Sequence, residues 1–412
     1  MNFLGKSLMS ALVALPLTAQ ALSLTEAREW ARSNYPAIRQ YALIEQSCNF
    51  TLSNAAKGWL PRVSASASAM GFTDILKATP QTQALGMDLK NAMASASVSV
   101  SQTIYDGGQI QAQKAIAAAQ SEVQRQQLEV SLYGVKERVD QLYFSILLLD
   151  EQLKQCALLA SDLNTSKLTI ESLQKSGMAN EGDLEAISVE QLKVKQQSEA
   201  LQTSRSAYLR MLSVFIGKEL SETEHLEMPE SVKATGLKRP ELNYYASLQA
   251  LIAARRKQLN TQLRPTLGFF GTGIFHSKVS GWVNQGMLLG GVTLSWNLSA
   301  LYTHKNNLRN LNTQASLYQS QQDVFVFNNR LQNEEAEGAI GLLRKQLAQD
   351  DEIVQLRQSI RNRSEQKVKL GTESVNELLR HINAVSQAQA QQALHKLQLL
   401  KEQYNQNNIN GL

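Results

Sequence analysis

The sequence predicts a protein of mixed α and β structure, in which very long helices alternate with pairs of β-strands and the second half of the chain repeats the first. Three observations predict it: an unbroken heptad pattern, two regions that alternate small polar with apolar residues, and constant offsets between matching motifs of the two halves. The composition agrees, because the 412 residues include only 7 Pro and 6 % aromatic residues. Such a composition is typical of long helices rather than of compact domains.

Residues 1–21 are predicted to be a secretory signal peptide. Lys6 supplies the positive charge, residues 8–17 the apolar segment, and Ala19-Gln20-Ala21 the small residues of a cleavage site. The apolar segment is too short to span a membrane as a helix. We therefore expect an exported chain that begins at Leu22.

The first half of the mature chain is predicted to hold a complete set of helices and strands. Residues 22–228 divide into a first helix, a β-hairpin (61–105), a long helix (107–176) and a further helix (181–216). The first helix covers 24–57 and should bend at Tyr35-Pro36. Residues 63–69 and 94–101 alternate Val or Ala with Ser, as strands do. Strands of about ten residues can cross a bilayer when they are tilted.

The long helix at 107–176 carries the heptad pattern. Its apolar residues recur at alternating spacings of four and three: Leu128, Leu132, Val135, Val139, Leu142, Ile146, Leu149, Leu153, Cys156, Ala160 and Leu163. A helix of this length reaches on the order of 100 Å, and a continuous heptad seam needs partner helices. We therefore expect the other helices to pack along it.

The second half, residues 229–412, is predicted to repeat this order. It divides into a helix (239–263), a β-hairpin (265–298), a long helix (302–370) and a last helix (374–404). Pro240 and Pro265 each follow their counterparts, Pro36 and Pro61, by 204 residues, whereas Gly371 follows Gly177 by 194. A duplication with a shorter loop in the second hairpin explains both offsets.

Four strands of this length cannot close a barrel, since about eight are the fewest that do so. An open sheet in lipid would leave its edge N–H and C=O groups without partners. The chain is therefore expected to oligomerise. Two copies would give a filled barrel of eight strands and three copies a wider one of twelve; the small Ser, Ala and Gly side chains favour a lumen over a plug.

Enzyme, metal, cofactor and nucleic-acid functions are not predicted. The five His residues form no i,i+4 pair, no Cys pair has metal-binding spacing, and no nucleophile or phosphate-loop motif occurs. The net charge of +5 is spread over both signs, unlike a nucleic-acid footprint. A trimeric coiled-coil stalk or adhesin would also explain the heptads, but it has no use for strand hairpins between the helices.

The segment at 102–108, Gln-Thr-Ile-Tyr-Asp-Gly-Gly, resembles the strand-to-helix junction of the TolC-like outer-membrane efflux proteins. Asn34-Tyr35-Pro36, the Arg-Pro-Glu-Leu at 239–242 and the turns at Gly177 and Gly371 are similar to that family too. The resemblance implies a homotrimer: a twelve-stranded outer-membrane β-barrel, with four strands per protomer, continued into the periplasm by an α-helical coiled-coil barrel.

The same resemblance implies a function and partners. The chain would be the outer-membrane channel of a tripartite efflux system in a Gram-negative bacterium. It would be a passive exit duct for small molecules that an inner-membrane pump of the RND, ABC or MFS type supplies through a periplasmic adaptor. A component of type I protein secretion remains the alternative. Outer-membrane lipid is the other expected partner, and no cofactor is implied.

Two sets of site residues complete the prediction besides the Asp106-Gly107-Gly108 junction. The turns that end the long helices should be the periplasmic tips that dock the adaptor: Gly177, Met178, Leu370, Gly371 and Thr372. Each has a Gly suited to a positive-φ helix stop. The second junction, at 296–300, lacks Asp-Gly-Gly, so a different local turn is expected there.

The periplasmic aperture is the other implied site. The family carries two acidic residues one turn apart after the second tip, and these positions fall on Glu377 and Arg380, with Asp183 as the first-half counterpart. Glu377 and Arg380 are i,i+3 neighbours and should form an ion pair. Glu373 stands where the family usually has a basic residue, and Val368 where it has an aromatic one.

Overall fold

The computed structural model describes residues 21–70, 93–231, 236–278 and 285–412. Their helices in the first half are α1 (Leu24–Asn34), α2 (Gln40–Ala56), α3 (Gln109–Lys175) and α4 (Glu181–Ile216), with strands β1 (Arg62–Met70) and β2 (Met93–Tyr105). The second half contains α5 (Pro240–Thr261), β3 (Thr266–Lys278), β4 (Gln285–Ser295), α6 (Ala300–Lys369) and α7 (Val375–Asn410). The predicted mixed α and β fold is confirmed. The signal peptide lies outside the described residues, apart from residue 21.

The first predicted helix, 24–57, is divided at Pro36. Helix α1 ends at Asn34, Pro36–Arg39 forms a 3₁₀ turn, and α2 begins at Gln40. Proline has no N–H to donate and disfavours the helical conformation of the residue before it. The break therefore lies where the bend was predicted.

The last helix is longer than the prediction of 374–404, since α7 continues to Asn410. Asn407 and Asn408 are buried in this extension. Gly411, with φ of +85°, ends the helix in the left-handed region and donates its N–H to the carbonyls of both asparagines. The polar Asn- and Gln-rich sequence concealed this end, because its burial depends on tertiary contacts.

The four strands form one antiparallel sheet in the order β1-β2-β3-β4, so β1 and β4 are its two edges. One face carries serine and threonine hydroxyls that bond across the strands. Ser66 pairs with Ser97 at 2.8 Å, Ser68 with Ser95 at 2.8 Å, and Ser99 with Thr272 at 3.1 Å. The opposite face of the sheet is apolar and exposed along its length: Val63, Val98, Val100, Phe269, Phe275, Val292 and Leu294.

The chain divides into two compact units. The sheet unit consists of the described residues of 39–130 and 240–328, and the helical unit of those of 1–38, 131–239 and 329–412. The sheet unit contains all four strands with α2, α5 and the first parts of α3 and α6. The helical unit contains α1, α4, α7 and the remaining parts of α3 and α6. No helix among the described residues combines the length and apolarity needed to cross a membrane.

A short β-bridge and several hydrogen bonds hold the segment after α4 in place within the helical unit. Leu22 pairs with Leu226 in a short parallel bridge, and the buried Tyr143 hydroxyl lies 2.7 Å from the Leu22 carbonyl and 2.6 Å from that of Glu227. Arg205 of α4 donates to the carbonyls of the same segment at residues 222 and 224. The region after α4 is therefore fixed by polar contacts that are buried or partly buried.

The heptad seam of α3 is largely buried, as a seam with partner helices should be. Leu132, Val139, Ile146 and Leu163 are among its buried positions, whereas Ala160 is exposed. The methyl group of Ala160 offers little area, so its exposure costs little. The pattern therefore predicted the packed side of the helix.

Candidate functional site

The turn between α3 and α4 lies in the helical unit and ends the longer helix with a glycine. Gly177 has φ of +77°. Its N–H donates to the Gln174 carbonyl (2.9 Å), and the Met178 N–H donates to the Leu173 carbonyl (2.9 Å). This pattern is a Schellman stop, which satisfies carbonyls that the helix leaves free. Met178 stays exposed.

The turn between α6 and α7, in the same unit, repeats this geometry. Gly371 has φ of +70°. Its N–H donates to the Val368 carbonyl (2.9 Å), and the Thr372 N–H donates to the Lys367 carbonyl (2.9 Å). Leu370 is exposed, as Met178 is in the first turn. The five predicted tip residues therefore lie in two turns of the same construction.

The helices on both sides of these turns share one hydrophobic cluster. Its members come from α3, α4, α6 and α7: Cys156, Leu163, Ile170, Leu173, Ile187, Val194, Val368, Val375, Leu378, Leu379 and Ile382. Asn383 of α7 also donates to Glu190 of α4 (3.1 Å). The turns thus follow helices that are packed firmly against each other.

Asp183 and Glu377 each occupy the first turn of the helix that follows a tip. The Asn180 side chain accepts from the Asp183 N–H (3.0 Å), while the Asp183 carboxylate accepts from the Asn180 N–H (3.0 Å). Asp183 is therefore part of a capping box. Ser374 caps α7 by accepting from the Glu377 N–H (3.3 Å), and the Glu377 carboxylate takes no part in this cap.

The predicted ion pair of the aperture set is present. Arg380 Nη2 lies 2.7 Å from Glu377 Oε2, and both side chains are accessible to solvent. An exposed pair at this spacing contributes only about 0.2–0.5 kcal/mol. The pair can therefore separate when another charged group competes for either partner.

Glu373, which the sequence marked only as a departure from the family pattern, contacts the side chains of Ser364, Lys367 and His381. Its carboxylate accepts from the Ser364 hydroxyl (2.6 Å) and lies 3.5 Å from Lys367 Nζ and 3.8 Å from His381 Nε2. The Ser364 hydrogen bond, helped by Lys367 and His381, lowers the pKa of Glu373 from its usual range.

Glu373, Glu377 and His381 bring one ligand atom each within 4.8 Å of one another. The sequence analysis missed this group because it looked for His–His and Cys–Cys spacings. The signal that would have found it is Glu-x₃-Glu-x₃-His at 373–381. Glu377 and His381, four residues apart, share one face of α7, and Glu373 lies directly before the N-cap, Ser374.

The Asp106-Gly107-Gly108 junction lies in the sheet unit and begins α3. Asp106 Oδ1 accepts from the Gly108 N–H (2.8 Å) and Oδ2 from the Ile110 N–H (2.6 Å). Gly107 and Gly108 have φ of +69° and +89°. The junction is therefore a helix cap followed by a strained turn that glycine relieves.

The second junction, at 296–300, lacks Asp-Gly-Gly and is built differently. The Trp296 indole N–H donates to the Leu263 carbonyl (3.0 Å). The Ser299 hydroxyl lies 2.5 Å from Asn297 Oδ1, and α6 begins at Ala300. Side-chain hydrogen bonds here take the place of the two positive-φ glycines.

Neither a protein-family model nor a curated protein matches the sequence. Solved structures, however, match its fold. The outer-membrane channel OprN aligns at 15 % identity with a TM-score of 0.69, covering 94 % of this chain and 90 % of that one. The outer membrane protein VceC of Vibrio cholerae aligns at 12 % identity and a TM-score of 0.66, covering 94 % and 95 %. The Campylobacter jejuni CmeC outer membrane channel aligns at 13 % identity and 0.65, covering 100 % and 92 %.

These structures share their fold with almost the whole of the described chain. Their sequence identities of 12–15 % establish a common fold. The CmeC alignment covers 100 % of this chain, so the two turns, the residues predicted for the aperture and the junction all lie within it. The chain has the fold of the outer-membrane channel proteins, which is the TolC-like fold that the sequence predicted.

Proposed function

We propose that this protein is the outer-membrane channel of a tripartite efflux system. It passes small molecules, delivered by an inner-membrane pump through a periplasmic adaptor, out of a Gram-negative cell. The observation that carries the proposal is a four-stranded sheet with two free edges, joined to helices of 67 and 70 residues, in the fold of outer-membrane channels. The channel itself is a passive duct, because the pump supplies the energy.

The proposed working form is a homotrimer. Edges β1 and β4 need partners in lipid, and three copies supply a closed sheet of twelve strands. The helices support the same assembly. Leu317, Val324 and Phe327 of α6 are exposed at heptad spacing in the sheet unit. In the helical unit, Ile353 and Leu356 are exposed on the same helix. Such apolar stripes are typical of surfaces that another helix covers.

The two halves of the chain are proposed to derive from a duplication. Each half runs in the order helix, strand pair, long helix and shorter helix. The two tip turns have the same hydrogen-bond pattern, with each Gly donating three residues back and the next residue five residues back. With the constant sequence offsets, this likeness supports a common origin for the halves.

The tip turns are proposed to dock the adaptor. Both expose an apolar side chain, Met178 or Leu370, beside a glycine around which there is open space. A bulky residue at Gly371 would strain the positive-φ turn and fill that space. The aperture is proposed to be lined by Glu377 in the first turn of α7, together with Arg380 in the second turn of α7 and Asp183 in the first turn of α4.

The test compares two glycines that have similar φ angles and open space around them. Gly371 and Gly236 have φ of +70° and +76°, and neither has a neighbour within 4 Å of an added Cβ. In cells that lack the chromosomal gene, Gly236→Val should restore export of a fluorescent dye and Gly371→Val should not, although both reach the outer membrane. Equal export by the two variants would contradict docking at the tip. Unchanged dye export after gene deletion, with loss of one secreted protein, would favour type I secretion instead.

A further inference from the structure

We propose that Glu373, Glu377 and His381 form a binding site for a divalent transition-metal ion, with Zn²⁺ as its simplest probe. The site lies within one chain, at the start of α7, and so does not depend on the trimer or on the efflux function. It provides one imidazole nitrogen and two carboxylate oxygens.

The distances fit one shared ion. The three ligand atoms lie within 4.8 Å of one another, and His381 Nε2 is 3.8 Å from Glu373 Oε1. Two ligands of a tetrahedral Zn²⁺, each at about 2.0–2.1 Å, are separated by roughly 3.3 Å. Small side-chain rotations therefore suffice to close the group on an ion, with water completing the coordination.

The backbone already holds the ligands in place. Glu377 and His381 are one helical turn apart on α7, and Glu373 comes directly before the N-cap, Ser374. The start of this helix is anchored because Val375 and Leu378 are buried beneath it. Two ligands thus lie on a packed helix and the third lies directly before its N-cap. This placement reduces the conformational entropy that the protein loses when it binds a metal ion.

A hydrogen bond from a residue that is not itself a ligand orients the Glu373 carboxylate. The Ser364 hydroxyl of α6 donates to Glu373 Oε1 at 2.6 Å. Such contacts fix ligating carboxylates and commonly change metal affinity by roughly 10–100-fold when they are removed. Side chains of Glu373 and His381 are 16 % and 23 % exposed, so the group is partly desolvated yet open to an entering ion.

Two cations currently compensate the carboxylates. Lys367 Nζ lies 3.5 Å from Glu373 Oε2 and Arg380 Nη2 lies 2.7 Å from Glu377 Oε2. Both are mobile enough to leave, since their side chains are 63 % and 73 % exposed. An entering ion would displace Lys367, which predicts that this lysine weakens metal binding by competition.

The donor set indicates the class of metal. Imidazole suits Zn²⁺, Cu²⁺ and Ni²⁺, whereas Mg²⁺ and Ca²⁺ prefer oxygen ligands alone. A bound ion would also tie the α6–α7 turn, through Glu373, to the face of α7. Occupancy would therefore rigidify this turn.

The experiment is calorimetric titration of the full-length protein in detergent with ZnCl₂. We expect saturable binding of one Zn²⁺ per chain, weakened roughly 100-fold or more by His381→Gln, because a direct ligand matters at least as much as an outer contact. His225→Gln, at an exposed histidine elsewhere, and Glu365→Gln, at a carboxylate paired with Lys369 on α6, are matched controls that should bind as the parent does. Lys367→Gln should bind more tightly than the parent.

A cobalt titration adds a readout that reports the nitrogen ligand. Co²⁺ absorption in the visible range should change between the parent and His381→Gln and stay unchanged in His225→Gln. If His381→Gln does not fold, Glu373→Gln takes its place with the same expected loss of affinity. No saturable binding at millimolar Zn²⁺ would overturn the proposal. Binding that His381→Gln leaves intact, or that Mg²⁺ displaces as well as Zn²⁺ does, would overturn it too.

Discussion

Tyr143 shows how one side chain holds together parts of the chain that are distant in sequence. Its hydroxyl lies between the carbonyls of Leu22 and Glu227, and nothing in the local sequence marks that contact. The Leu22 carbonyl also accepts from the Glu227 N–H (3.0 Å), so Tyr143→Phe removes one hydrogen-bond donor without leaving that carbonyl unpaired, and it should cost about 0.5–1.5 kcal/mol. We expect a lower thermal unfolding midpoint in detergent. The control is Tyr302→Phe, at a side chain that is 85 % exposed, and it should unfold as the parent does.

The same residue predicts a pH dependence. Burial, followed by the nearby Glu227, raises the pKa of Tyr143. The native protein therefore keeps this proton at a pH where the unfolded chain loses it, above about 10. Stability from this group is present below that pH and falls as the pH rises beyond it. The alkaline loss of stability should be smaller in Tyr143→Phe; identical alkaline profiles would contradict this assignment.

Arg380 tests the aperture at the residue scale. If the Glu377–Arg380 pair lines the pore, Arg380→Asp turns a compensated ring into an acidic one and raises the selectivity for cations, since a narrow pore concentrates the field of its charges. Reversal potentials in planar bilayers measure this. Arg363→Asp makes the same charge change at an exposed arginine of α6 and should leave selectivity as it was. A selectivity unchanged by Arg380→Asp but altered by Glu377→Ala would place Arg380 outside the pore.

Sequence reasoning at this scale succeeded where partners are neighbours along one helix. The Glu377–Arg380 pair follows from i,i+3 spacing. The Ser364–Glu373 hydrogen bond joins two sides of a turn. It depends on how α6 and α7 pack, so no local pattern could predict it.

Two glycines with similar backbone conformations allow a test at the scale of elements. Gly107 and Gly177 have φ of +69° and +77°, so alanine at either carries a strain of about 1–2 kcal/mol. An added Cβ at Gly107 would lie 3.0 Å from Arg264 Cβ and 3.3 Å from the Pro265 carbonyl, whereas Gly177 has open space. Gly107→Ala should therefore lower the thermal midpoint more than Gly177→Ala. Equal shifts would show that the close approach at the junction adds no cost.

Elements were predictable where their signals are local. The heptads located α3, Pro36 located the break between α1 and α2, and the Ser alternation located β1 and β2. The C-terminal end of α7 was not predictable, because Asn407 and Asn408 have little helix preference and are held in the helix by burial. The sheet register was not predicted either, since it depends on pairing between strands that are distant in sequence.

At the scale of the whole molecule, the sequence indicated that one copy of the chain cannot close its β-sheet and must associate with further copies. Constant offsets, between Pro36 and Pro240 and between Gly177 and Gly371, indicated two similar halves. The number of predicted strands, four, indicated a sheet too small to close into a barrel. The structure confirms four strands in one sheet with β1 and β4 as edges. How many copies complete that sheet is a property of the assembly, which the order of elements in one chain does not determine.

The central claim is that three copies join these edges into one outer-membrane channel. Its most direct test is the molar mass of the protein extracted from outer membranes, measured by light scattering with the detergent contribution subtracted. We predict three times the mass of the mature chain, because only intersubunit pairing satisfies the N–H and C=O groups of β1 and β4 in lipid. A stable monomer with its full strand content by circular dichroism would contradict the account.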